Sequence, residues 1–424
     1  MKAQYPVISI IGGTIWGNRG AESMLTTTIG MIRESFPDTK FYVYSYLPKK
    51  DRELISDPNI FVLSGKPVSM VTRHFIGALL AALMKSLSIK IPKSNFFKIS
   101  KAMDESDLLL DVGGITFSDG REKYLPFNIL TIWPAMILNV PVIKLAQAVG
   151  PFHHFLNRIS ARLFLMPCRH IFARGEKTAG FLKELGYPEE KTDTVADVAF
   201  LYDKRFSLSH ENEKRVADLI DRLKHTKKQI VVFTPSILVE NQSTKLGLDY
   251  SGKFFDVIKD LGTVNYHFVF MPNATREGSD KTHNNDLLTI GRMRAAAENG
   301  ALSAEMLEAV DWINYDINTS SIRTIVSAAN ILVTSRYHAM ISGLCLAVPT
   351  VVIGWGHKYK ETMDYFGLGK YSLDFGDKEL DLTQIIKDAL DQQGAIHNQI
   401  KQNIGNVIKK AEIQFDFIKR ELSK

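Results

Sequence analysis

Two cations stand at one junction of this sequence. In Thr334–Gly343, TSRYHAMISG, Arg336 and His338 lie between an apolar run, Ile331–Val333, and a second one, Leu344–Val348. The pattern predicts a buried strand that ends here and a buried helix that begins here. The partial positive charge of a helix N-terminus disfavours a cation unless an anion is present. Arg336 can hold a carboxylate or phosphate through two parallel hydrogen bonds. His338 titrates near neutral pH and serves as acid or base. A lone histidine is more often a satisfied core residue, but its pairing with Arg336 at a strand end favours function. Downstream, Ile353–Lys360, IGWGHKYK, adds His357, Lys358 and Lys360. These either complete an anion pocket with Arg336 or form an exposed helix start.

A second junction has the same form. In Ala173–Gly180, ARGEKTAG, a strand over Ile171–Ala173 gives way to a helix near Glu176, with Arg174 at its entrance. Arg174 is either paired with a nearby carboxylate or holds an anion against the helix start, and the helix dipole favours the second reading. Three more strand ends carry glycine and polar groups. Gly12–Met24, GGTIWGNRGAESM, offers close backbone approach at Gly13, donors on Asn18 and Arg19, and Glu22. Its spacing is not that of a dinucleotide-binding GxGxxG loop. Asp111–Gly120, DVGGITFSDG, ends a strand in Gly113 and Gly114. Two such loops in one half-sheet should face each other, with Asp111 and Asp119 accepting from sugar hydroxyls or capping the loop. Gln147–Phe152, QAVGPF, brings Gln147 to the same region and turns at Gly150–Pro151. The sequence has no P-loop, HExxH, paired CxxC, GxSxG or Asp-rich metal pattern. Basic residues are not interleaved with aromatics, so no metal and no nucleic-acid partner is expected.

These junctions need strands that end beside one another. Strands are expected at Val7–Ile11, Phe41–Tyr46, Ile60–Leu63, Leu108–Asp111, Val142–Leu145 and Ile171–Ala173, with a first helix over Glu22–Ser35. Periodicity weakens over Asp193–His210 and a polar helix follows at Glu211–Lys224. Strands then resume at Ile230–Phe233, His267–Met271, Ile331–Thr334 and Thr350–Ile353, with helices at Asn284–Asn299, Thr319–Ala329 and His338–Leu346. Alternation of this kind predicts parallel sheets with crossover helices. It resembles a GT-B-like α/β architecture, two doubly wound Rossmann-like domains facing a cleft, with ligands at the carboxyl ends of the strands. The expected division is 1–200, 201–395 and a helical tail, 396–424.

The chain has 424 residues, 45% hydrophobic and 23% charged, with a formal net charge of +6. That length suits two or three domains, and a mildly basic chain prefers anionic partners. Two distant cysteines, Cys168 and Cys345, in apolar surroundings fit a reducing cytosol. The N-terminus, MKAQYPVISIIGGT, shows no signal-peptide core before the first strand, so a cytoplasmic location is expected. Phe75–Met84, FIGALLAALM, is too short to span a bilayer. Arg73 and His74 precede it, and Lys85, Lys90, Lys93, Lys98 and Lys101 follow. It reads either as a core helix or as a helix lying on the inner face of an anionic membrane.

Taken in order, GGTIWGNRGAESM, DVGGITFSDG, QAVGPF, ARGEKTAGFLKELG, ADVAF and SRYHAMISGLCLAVPTVVIGW with its following lysine resemble the polysaccharide pyruvyl transferase family. The resemblance covers nearly the whole chain. The family more often has Leu where this chain has Tyr337, and Asp-Pro where Val198 follows Asp197; neither change removes a functional group. The resemblance implies transfer of pyruvate from phosphoenolpyruvate to a sugar of a cell-surface polysaccharide or its lipid-linked precursor. A cyclic ketal would form and phosphate would leave, with no cofactor. It assigns the donor to Arg174 and Arg336, beside Tyr337 and Lys358, and the acid role to His338. The acceptor falls to Gly13, Asn18, Arg19, Glu22, Asp111, Gly113, Gly114 and Gln147. The base stays open among Asp111, Glu22 and Asp119. The competing expectations are a GT-B glycosyltransferase using a nucleotide sugar and a non-catalytic glycan-binding protein of the same fold.

Overall fold

The computed structural model describes residues 5–208, 210–277, 283–354 and 357–424. Trp355 and Gly356 of the IGWGHKYK segment, and the side chain of His357, lie outside the described residues. The chain forms two compact units. The first comprises residues 1–16, 21–206 and 408–424, and the second 17–20 and 207–407.

The first unit is built on strands β1 (Val7–Ile11), β2 (Lys40–Ser45), β3 (Ile60–Ser64), β4 (Leu108–Asp111), β5 (Ile115–Thr116), β6 (Val142–Val149), β7 (His170–Arg174) and β8 (Thr192–Val195). They pair in parallel in the order β3-β2-β1-β4-β6-β7-β8, with β5 beside β6. Strands β1, β4, β6 and β7 are buried along their whole length. Helices cover both faces of such a sheet, which is why these strands read as nearly unbroken apolar runs. The exceptions inside β6 are Gln147 and Lys144, both fully buried, the latter in register with Asp111 on β4.

The second unit repeats the theme with β9 (Gln229–Thr234), β10 (Tyr266–Phe270), β11 (Val310–Trp312), β12 (Ile331–Thr334), β13 (Thr350–Gly354) and β14 (Ser372–Asp374). Their order is β11-β10-β9-β12-β13-β14, again all parallel. The chain leaves β9 toward β10 on one side, while β12 flanks β9 on the other. The connections therefore diverge between β9 and β12, as they do between β1 and β4 in the first sheet.

The strands that escaped the sequence reading are β5, β8, β11 and β14, which are short and partly exposed. Strand β8 lies in the stretch read as a break, and the division falls at Phe206/Ser207. The C-terminal segment does not form a separate tail. One helix, Gln393–Leu422, gives residues up to 407 to the second unit and the rest to the first.

The apolar segment at Phe75–Met84 belongs to a helix longer than its apolar core, Pro67–Ser86. Its Met70–Ile76 stretch is π-helical. The helix is neither wholly core nor wholly free. Met70, His74, Ala78 and Ala81 are buried, while Leu79, Leu80 and Leu83 are exposed. His74 is not part of a basic flank. Its Nε2 lies 2.9 Å from the Ser64 carbonyl, and its ring packs on Tyr44. Burial pushes its pKa down to about 4, against the smaller pull of the Ser64 contact.

Candidate active site

In the second unit the carboxyl ends of β9, β10 and β12 converge on one buried carboxylate, Asp286, in the first turn of the Asp286–Ala296 helix. Asp286 accepts from the backbone N–H of Ile237 at 3.1 Å, Asn273 at 3.2 Å and Ala274 at 2.9 Å. It also accepts from the guanidinium of Arg336. Arg336 caps the Tyr337–Cys345 helix in extended conformation and donates through Nη1 to Asn284 Oδ1 at 2.8 Å. Its Nε has no partner among the described residues. The anion that helix electrostatics called for is thus met by Asp286.

His338 follows two residues later, in the first turn of that helix, where backbone N–H groups lack intrahelical acceptors. Two neighbours fix its ring. Tyr337 presents its ring edge at 5.3 Å between centroids, and Gly20 packs against the imidazole so closely that a Cβ there would lie 2.6 Å from Cγ. Tyr337 is itself buried, with its hydroxyl 2.9 Å from Thr362 Oγ1. Its ring packs against His338. Lys358 Nζ lies over the Tyr337 ring at 4.9 Å, which keeps a cation near this helix start.

Gly20 comes from the glycine-rich segment after β1. There Asn18 Oδ1 accepts from Gly20 N at 3.1 Å and opens the Arg19–Arg33 helix. Arg19 finds its partners within the same unit. Its guanidinium is buried and bonds both oxygens of Asp316, at 3.1 and 3.2 Å, while Thr319 Oγ1 donates to its carbonyl at 3.0 Å. Asp316 also faces His210 and Thr275. Burial would raise the Asp316 pKa. The His210 hydrogen bond and the Arg19 charge outweigh it and hold the carboxyl below its usual range. Arg19 therefore anchors the segment that carries Gly20.

In the first unit the two glycine pairs do meet. Gly12 adopts φ +87, and a Cβ there would collide with the Gly113 backbone, so the loops after β1 and β4 touch at their glycines. Gly13 packs over Val112 and Leu25, and Gly114 is open on its Cα side. Asp51, which the sequence reading passed over, shapes the first loop. It accepts from Thr14 Oγ1 at 2.9 Å, Trp16 N at 2.8 Å and Ser45 Oγ at 2.6 Å, and from Ile15 N. Glu22 is buried one turn into the following helix.

Three further side chains of these loops have local partners. Asp111 is ion-paired with buried Lys144 and accepts from Gly113 N at 2.9 Å, so it caps the second loop, the second of its two expected roles. Gln147 does not point outward. It is fully buried, accepting from Thr116 Oγ1 at 2.7 Å and donating to the Asp111 carbonyl at 3.0 Å. Asp119 is a loop cap, accepting from His153 N at 2.6 Å and Asn157 Nδ2 at 2.8 Å. Burial pulls its pKa up, and the Asn157, His154 and His153 hydrogen bonds together bring it below normal. Arg174, at the end of β7, follows the carboxylate reading: Nη1 lies 2.7 Å from Asp197 Oδ2 and Nη2 2.8 Å from the Gly114 carbonyl.

Against known families, residues 18–357 match the model for polysaccharide pyruvyl transferase. The chain belongs to that family. Solved structures share its fold at low identity. A putative UDP-N-acetylglucosamine 2-epimerase from Listeria monocytogenes is 12% identical, with a TM-score of 0.60 over 96% of this chain and 95% of that one. Anabaena HepE in complex with UDP and glucose is 10% identical, with a TM-score of 0.56 over 99% of this chain and 100% of that one. The fold of this pyruvyl transferase family member is therefore GT-B-like α/β, with two parallel Rossmann-like sheets. Asp286, Asn284, Gly20 and Lys144 were missed in its sequence. Two signals were available: Lys144 interrupts an apolar strand, and Gly20 falls in the first turn of a helix, where an isolated glycine marks close packing.

Proposed function

We propose that the protein transfers pyruvate from phosphoenolpyruvate to two hydroxyls of a sugar in a polysaccharide or its lipid-linked precursor, in the cytoplasm where the donor is made. The observation that carries the proposal is Arg336 and His338 at one helix N-terminus, where the second sheet's connections diverge. Phosphoenolpyruvate has a carboxylate and a phosphate on a three-carbon frame. A guanidinium with a remaining N–H, the N-terminus of the Tyr337–Cys345 helix and a nearby Lys358 suit that charge.

In the reaction, protonated His338 gives its proton to the CH2 carbon of the donor. The former vinyl C2 becomes an oxocarbenium-like centre, which a sugar hydroxyl attacks, losing its proton to a base. Loss of phosphate with its C–O electron pair then regenerates a cation at C2. The second hydroxyl attacks it, its proton leaves, and the ring closes. One donor and one diol give one ketal and one phosphate; of the two protons lost by the hydroxyls, one restores His338 and the other leaves with the phosphate.

Incubation with phosphoenolpyruvate and extracted lipid-linked glycans should release phosphate and add the mass of a pyruvate ketal. His338→Ala should stay folded and lose turnover. Release of UDP or GDP from a nucleotide sugar, without consumption of phosphoenolpyruvate, would overturn the proposal in favour of glycosyl transfer.

A further inference from the structure

The first unit carries an outer face with the wrong polarity for water. The Pro67–Ser86 helix and the segment after it expose Val68, Val71, Ile76, Leu79, Leu83 and Leu87 at helical spacing; Leu79 is 45% and Leu83 56% exposed. A water-facing helix should carry polar residues on that stripe. A second helix, Phe155–Leu165, does the same, with Phe155 70% and Leu163 63% exposed beside Leu156 and Ile159. Both helices pack on a third, Leu125–Ile137. Its Trp133 ring contacts Phe75 at 4.5 Å and Phe164 at 5.2 Å, which joins the two stripes through a partly exposed aromatic bridge. Contiguous apolar surface of this kind marks an interaction site.

The charge around it has one sign. No Asp or Glu occurs between Asp57 and Asp104, nor between Glu122 and Glu176. Arg73, Lys90, Lys93 and Arg158 are exposed there and make no ion pair among the described residues. Lys85 is the exception, 2.6 Å from Asp104. A protein partner would ordinarily meet a surface of mixed sign. An apolar stripe with a predominantly basic rim instead complements acyl chains below a layer of anionic headgroups. The Pro67–Ser86 helix has the length to cross a bilayer, but Met70, His74, Ala78 and Ala81 are packed into the unit, so it lies along the surface rather than through it.

We propose that the face formed by the Pro67–Ser86, Leu125–Ile137 and Phe155–Leu165 helices docks on an anionic phospholipid surface. The proposal rests on the proposed function only in that a lipid-linked acceptor gives the docking its purpose. The binding itself needs neither donor nor acceptor.

The test is flotation of the full chain with mixed phosphatidylcholine–phosphatidylglycerol vesicles, against phosphatidylcholine alone. Binding should require the anionic lipid and weaken with salt. It should fall at least tenfold in a variant carrying Leu79→Ser, Leu83→Ser, Phe155→Ser and Leu163→Ser. A second variant, Lys90→Glu with Lys93→Glu and Arg158→Glu, touches only exposed polar positions and should lose binding with its melting temperature unchanged. Turnover of a water-soluble acceptor should survive both. No vesicle binding, equal binding by the variants, or self-association in solution that the serine variant abolishes would each overturn the proposal; the last would make a second copy the occupant. Vesicle binding without phosphoenolpyruvate turnover would refute the proposed function and leave the docking intact.

Discussion

The tightest constraint on the candidate acid is a residue without a side chain. Gly20 lies against His338, and a Cβ built there would stand 2.6 Å from Cγ and 2.7 Å from Cε1 of the imidazole. Comfortable carbon–carbon contact is about 3.5–4.0 Å, so Gly20→Ala must drive the ring back by about 1 Å. Displacement of a catalytic group by about 1 Å costs on the order of 100-fold in rate. That corresponds to about 2.7 kcal/mol of lost transition-state stabilisation. The same change should not unfold the protein. Ala is a better helix former than Gly by up to about 1 kcal/mol, which offsets part of the crowding. The expected result is a fall in kcat near two orders of magnitude, little change in KM for phosphoenolpyruvate, and a melting temperature within a few degrees of the parent. The assay is phosphate release at saturating donor, with thermal unfolding followed by circular dichroism. A kcat within threefold of the parent would show that His338 needs no seat on Gly20, and the positional argument would fail.

Three further outcomes follow from buried charges. Asp286→Ala removes the partner of Arg336 and orphans three backbone N–H groups. It should lower stability by about 3–5 kcal/mol in urea unfolding, with Asp286→Asn losing less. Lys144→Met leaves Asp111 buried and unpaired. It should cost about 3–5 kcal/mol, and adding Asp111→Leu should recover much of it, read as a double-mutant cycle. His74 has a folded pKa of about 4 against an ordinary 6.5. Its contribution is complete above pH 6.5, where both states hold it neutral. It is lost as pH falls from 6.5 toward 4, where only the unfolded chain takes up the proton. The loss is on the order of 3 kcal/mol. His74→Gln should flatten the stability profile across that window, and an unchanged acid slope would count against the buried neutral ring.

The central strands and the cations at their ends were legible because each rests on local pattern. A strand covered on both faces must be apolar along its length, and a cation at a helix start conflicts with the dipole wherever it occurs. What the cations meet was not legible. Asp286 lies 50 residues from Arg336, and Asp316 lies 297 from Arg19, so only the folded sheets bring them together. For the same reason Asp111 and Gln147 looked available. Asp111 does end its strand, whereas Gln147 lies inside β6, which continues to Val149 instead of stopping at Leu145; Lys144 and Thr116, which engage them, come from neighbouring strands. The short edge strands lack a buried second face and hence a pattern. His74 read as surface charge because nothing in its local sequence reveals that Ser64 and Tyr44 enclose it.

The long final helix bears on the order in which this chain can mature during synthesis. Gln414 donates to the Ala196 carbonyl at 3.0 Å, Phe417 packs on His170 at 4.3 Å, and Glu421 clasps Arg169 at 2.9 Å. All three contacts close the unit whose sheet is complete by Val195. On the ribosome that unit emerges first, yet its outer wall is made last, after the whole of the second. A nascent chain halted before the final helix carries a sheet with its flank exposed. Chaperone occupancy on arrested chains should therefore persist until the last residues leave the exit tunnel.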